Sequence, residues 1–121
     1  MGKIVILVTG ANGFVGRNLV RRLLDRGLGV RGLLLPGQRA SLEHPRLQWH
    51  RGDVRDRAAV EMAVKGATTT VHLAAVVASP DEFLNQDVNA EGTRTLVQLC
   101  RVHGCRRFVF MSAAAAKFKS P

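Results

Sequence analysis

The sequence predicts an α/β fold, a doubly wound parallel sheet of about five strands with helices on both faces. Three observations point there. Short apolar, β-branched segments alternate with longer ones whose apolar residues recur at helical spacing. Glycines stand where each helical pattern ends, at Gly27, Gly66 and Gly104. A loop with three evenly spaced glycines, "VTGANGFVG" (Val8–Gly16), follows directly on the first apolar run.

The elements follow in order. "KIVILVTG" (Lys3–Gly10) is a continuous apolar run, expected as a strand buried on both faces. Val15, Leu19, Val20, Leu23 and Leu24 then repeat at helical spacing, with Arg17, Arg21, Arg22 and Arg26 on the other side. "VRGLLL" (Val30–Leu35) is the second strand, ended by Pro36-Gly37, and "LQWHRGD" (Leu47–Asp53) the third. Asp56 is placed to cap the next helix, whose apolar face is Ala59, Val60, Ala63 and Val64. "TTTVHLAA" (Thr68–Ala75) is the fourth strand. A long helix is expected from about Phe83 to His103, with Val88, Leu96, Leu99 and Cys100 inward. "RRFVFMS" (Arg106–Ser112) is the fifth strand, and no element is assigned to the tail. The chain has 121 residues, so a single domain over 1–121 is the expectation.

Composition narrows the function classes. The apolar runs fall far short of the roughly 20 residues that a membrane helix needs, so no membrane partner is expected. No signal-peptide pattern follows Met1, and the expected location is the cytoplasm. The net charge is +9, from arginines spread along the chain. Such a field favours anionic ligands in general. With five Phe, one Trp and no Tyr, stacking platforms are scarce, and nucleic acid is not expected as a partner. Cys100 and Cys105 lack the companions of a zinc site and read as reduced thiols, so no metal site is expected.

The glycine loop carries the chemistry. Gly10 lets the chain turn sharply out of the first strand. Gly13 has no side chain to keep a pyrophosphate from the backbone. Gly16 lets the first helix pack closely on the sheet. The N–H groups around Asn12, Phe14 and Val15 would then face an anion, helped by the helix dipole. No Gly-Lys-Ser/Thr is present, which excludes a lysine-containing phosphate loop. From the residues alone, Asp53 is a turn-former or a ligand contact. His72, inside an apolar strand, reads as a satisfied core residue rather than a catalyst.

Thr9-Gly10-x-x-Gly13-x-x-Gly16 resembles the cofactor loop of the extended and atypical short-chain dehydrogenase/reductases, and the resemblance runs from Lys3 to about Ser112. It implies a Rossmann-type sheet in order 3-2-1-4-5 and a bound dinucleotide. "RGDVRD" resembles the family's Gly-Asp element, implying Asp53 as an adenine contact with Val54 beside it. "VHLAA" resembles the fourth-strand motif, implying that Leu73, Ala74 and Ala75 line the cofactor. "VNAEGT" resembles the family's Asn-Val-x-Gly-Thr, implying Asn89 as the structural or proton-relay asparagine.

Three departures shape the expectation. NAD-preferring relatives carry an acid about 20 residues past the glycine loop, where this chain has Leu33-Leu34-Leu35-Pro36. That tilts the expectation toward NADP over NAD, with Arg39 either a phosphate contact or a solvated loop residue. The family's catalytic serine position aligns with Ala113, one residue past Ser112. The Tyr-x-x-x-Lys element is absent, so no catalytic residue is assigned. The expectation is therefore the cofactor half of an NAD(P)-dependent oxidoreductase or sugar-nucleotide epimerase/dehydratase. It stops ahead of the catalytic helix, binds dinucleotide and does not turn over alone. The alternative is a non-catalytic nucleotide-binding subunit, in a homo-oligomer or a larger protein assembly.

Overall fold

The computed structural model describes residues 3–73 and 90–111. Within them the chain runs β1 (Val5–Thr9), α1 (Phe14–Asp25), β2 (Gly29–Leu34), β3 (Leu47–Arg51), α2 (Arg57–Val64), β4 (Thr69–His72), α3 (Gly92–Val102) and β5 (Arg107–Phe110). The five strands form one parallel sheet in the order β3-β2-β1-β4-β5. The fold expectation holds in both direction and strand order.

Alternation along the central strands divides the core between the two faces. Ile6 and Val8 of β1 and Val30 of β2 pack with Val20 and Leu24 of α1. Leu7 and Leu33 point the other way, onto Val60, Ala63 and Val64 of α2 and Leu96, Leu99 and Cys100 of α3. Burial on both faces is why these strands read as continuous apolar runs. Gly32 interrupts β2 for a packing reason. A Cβ there would lie 2.4 Å from the Trp49 ring, which covers the same spot from β3.

Helix ends follow the sequence signals. The Asp56 carboxylate accepts the Ala58 and Ala59 N–H groups at 3.1 and 3.3 Å and caps α2. Gly27, Gly66 and Gly104 all have positive φ just past the three described helices. Two arginines satisfy further helix-end carbonyls from the sheet side. The Arg31 guanidinium donates to the Ala63 and Lys65 carbonyls at the end of α2, and Arg46 donates to the Leu24 carbonyl of α1.

Several details differ from expectation. β1 begins at Val5 rather than Lys3, because ladder pairing starts with Val5 opposite Gly29. β3 ends at Arg51, and Gly52 and Asp53 leave the ladder. Val15, expected on the inward stripe of α1, is 46% exposed. The buried positions are Gly16, Val20 and Leu24, four apart, so the glycine itself sets the helix phase. Val88, Asn89, Ala74, Ala75, Ser112 and Ala113 lie outside the described residues.

Candidate functional site

The carboxyl ends of β1, β2, β3 and β4 lie side by side, and the β1–α1 turn sits among them. Gly10 adopts φ +67°, the left-handed turn that takes the chain out of the strand. The Gly13 N–H donates to the Gly10 carbonyl at 3.0 Å and closes the turn. Gly16 presses against it: a Cβ at Gly16 would lie 2.0 Å from the Gly10 oxygen and 2.8 Å from the Ala11 Cα. Gly16 is therefore a packing glycine.

Gly13 is different. It is exposed, and its φ of −80° suits any residue. A Cβ added there would come no closer than 3.3 Å to any neighbour, the Gly10 oxygen. The dihedral angles thus make no demand for glycine, but the contact with the Gly10 oxygen is tight, and a side chain here needs the turn to give by a few tenths of an ångström. The first intrahelical bond of α1 runs from Arg17 N–H to the Gly13 carbonyl at 2.8 Å. The N–H groups of Phe14 and Val15 precede it, at a helix start with no side-chain cap and no acid in its first turn. An anion fits there: donors, the positive end of the helix dipole and an open approach coincide.

The other expected site residues within the described part of the chain lie in three places. Leu73 and Asp53 follow the carboxyl ends of β4 and β3. Asp53 folds its own turn, with Oδ1 accepting the Arg55 backbone N–H at 2.9 Å and Oδ2 paired with the Arg55 guanidinium at 2.7 Å. Those bonds hold the Asp53 carboxyl below the usual carboxylate range. Val54 is buried within the α2–α3 core. Arg39 lies in the β2–β3 loop, and Asn12 reaches it: Asn12 Nδ2 donates to the Arg39 carbonyl at 2.9 Å. The sequence pointed to Asn12 for the backbone of its loop. Its side chain has a separate role, binding a distant segment.

His72 is the satisfied core residue the sequence suggested. It is 1% exposed, with Nδ1 2.7 Å from Thr9 Oγ1 and Nε2 2.9 Å from Thr93 Oγ1. The Leu73 N–H donates to Thr9 Oγ1 at 3.0 Å. A neutral ring with its proton on Nε2 satisfies this chain, Thr9 donating to Nδ1 and Nε2 donating to Thr93. Burial pushes the His72 pKa down to about 4. Thr93 was not foreseen, although it belongs to "VNAEGT", and its pairing with His72 gives that threonine a reason. Among the described residues no three His, Cys, Asp or Glu side chains converge as a metal site. No described helix is long and apolar enough to cross a membrane.

A parallel sheet in the order 3-2-1-4-5, with a glycine turn at the first strand and an uncapped helix start behind it, defines the Rossmann-type class of α/β domains. Within that class the chain belongs to the NAD dependent epimerase/dehydratase family, whose model matches residues 6–117. It is 41% identical over 113 residues to sterol demethylase protein B of Methylococcus capsulatus, covering 91% of this chain and 34% of that protein. It is 38% identical over 121 residues to a 3 beta-hydroxysteroid dehydrogenase/Delta 5→4-isomerase of Mycobacterium tuberculosis, covering 89% and 31%. The chain thus spans about a third of the length of these curated relatives. Among solved structures, the Thermus thermophilus UDP-glucose 4-epimerase complex with NAD superposes with a TM-score of 0.80 at 32% identity, covering 91% of this chain and 38% of that one. A short-chain dehydrogenase/reductase superfamily protein from Agrobacterium tumefaciens with bound NAD gives 0.79 at 37% identity, covering 90% and 32%.

Proposed function

We propose that this chain is the dinucleotide-binding part of an NAD(P)-dependent oxidoreductase or sugar-nucleotide epimerase/dehydratase. One observation carries the reading: the bare, exposed Gly13 at a helix start with no side-chain cap and no acid in its first turn. The Phe14 and Val15 N–H groups receive the pyrophosphate. On this reading Asp53 contacts the adenine, Leu73, Ala74 and Ala75 line the cofactor, and Asn89 is the structural or proton-relay asparagine. The bound cofactor supplies hydride chemistry to the whole enzyme, and these residues bind and orient it. Curated relatives named as dehydrogenases support an enzyme part over a non-catalytic subunit.

The reading takes NADP over NAD. Leu35, 45% exposed just past β2, replaces the acid that would repel a 2′-phosphate, and Arg39 stands in the following loop. Solved relatives hold NAD, so both cofactors belong in the test. Titration calorimetry with NADP, NAD and ADP-ribose is compared between the parent chain and Gly13→Val. The variant is expected to lose binding to all three, because its branched side chain stands between the phosphates and the N–H groups. Equal affinity in parent and variant would place the ligand elsewhere.

A further inference from the structure

The β2–β3 loop is tied to the glycine turn through a single amide. Asn12 Nδ2 donates to the Arg39 carbonyl at 2.9 Å, and Asn12 Oδ1 accepts the Ser41 N–H at 2.8 Å. Both ends of the amide are used, on positions 27 and 29 residues away. A second tie holds the near side of the same loop. Arg51 Nη1 donates to the Gln38 carbonyl at 2.7 Å, and Gln38 Oε1 accepts the Leu35 N–H at 3.1 Å. Arg39 therefore sits between two anchored points. It is exposed, and no described carboxylate pairs with it.

We propose that Asn12 is a positioning residue for recognition of a phosphate on the ribose 2′ oxygen, holding Arg39 and Ser41 across the glycine turn. The proposal rests on the dinucleotide reading above. A guanidinium on a long side chain binds a phosphate well only when its backbone is held, because a free loop must be ordered at each binding event. Asn12 supplies that order before the ligand arrives. Only an amide fits the clamp, since one planar group must donate to a carbonyl and accept from an N–H. An aspartate keeps the acceptor for Ser41 but turns an oxygen on the Arg39 carbonyl.

The test is a double-mutant cycle on the chain, read by calorimetry with adenosine 2′,5′-bisphosphate and adenosine 5′-monophosphate. Asn12→Ala is expected to weaken the bisphosphate about tenfold, the scale of one charge-assisted phosphate contact, with the monophosphate within about twofold of the parent. Asn12→Asp, which keeps the side-chain size, is expected to lose in the same direction. In an Arg39→Ala background the Asn12 effect should vanish, because both residues serve one contact. Equal weakening of both ligands, or additive effects, overturns the proposal and makes Asn12 a general loop brace. A parent chain that binds ADP-ribose but gains nothing from a 2′-phosphate overturns it while leaving the dinucleotide reading intact. A parent chain that binds none of these ligands overturns both.

Discussion

Lowering the pH should destabilise this protein through one imidazole. His72 is buried between β1, β4 and α3, against Thr9 and Thr93, with the Phe108 and Phe110 ring centroids 6.2 and 5.6 Å away. Burial lowers its pKa from 6.5 to about 4. The unfolded chain takes up the proton first, so stability is full above about pH 6.5 and falls as the pH drops toward 4. At pH 5 an unfolded histidine is nearly all charged and this folded one nearly all neutral, a difference of about 2 kcal/mol. That is a large share of the about 5–15 kcal/mol that holds an ordinary domain together. The assay is denaturant unfolding at pH 8 and pH 5, for the parent and for His72→Gln. Other groups move too, His50 in the same direction because it is also partly desolvated, but they cancel in the difference. The parent should lose about 2 kcal/mol more than the variant between the two pH values. A direct check is the His72 ring titration followed by NMR. A midpoint near 6.5, or equal losses in parent and variant, would refute the burial argument.

Two further outcomes follow from the geometry. Gly16→Ala puts a Cβ 2.0 Å from the Gly10 oxygen, a backbone atom that no rotamer change can move. It should cost at least the about 1–3 kcal/mol of an overpacked site, whereas Gly13→Ala should cost far less, and thermal melts of both variants compare them. Cys100 is buried and its thiol is pushed up to about 11, chiefly by that burial. Alkylation of the native protein followed by mass spectrometry should therefore label Cys105 well before Cys100. The opposite order would mean that the end of α3 opens readily.

The fold was legible because its signals are local. Apolar runs, helical spacing and the terminal glycines each act within one element, and Asp56 caps the helix that begins at the next residue. The glycine turn was legible for the same reason. What escaped the sequence was contact between distant segments. The Asn12 amide meets Arg39 and Ser41, and Thr93 meets His72 from 21 positions away. No periodicity encodes such a meeting. Val15 went astray for a related reason. Its apolar character suggested an inward side chain, but the close approach of Gly16 to Gly10 rotates the helix and turns Val15 out.

The imidazole of His72 also acts as a hasp. On one side it holds Thr9, which in turn holds the Leu73 N–H, and on the other it holds Thr93 at the start of α3. Leu73 and Thr93 are thereby fixed to one ring, whatever sequence joins them. A segment whose two ends are already fastened can change length cheaply, since each doubling adds only about 0.6 kcal/mol of closure entropy. The stability of the frame therefore depends little on the length of the sequence between these two points, which leaves the cofactor residues proposed within it as the constraint on that sequence.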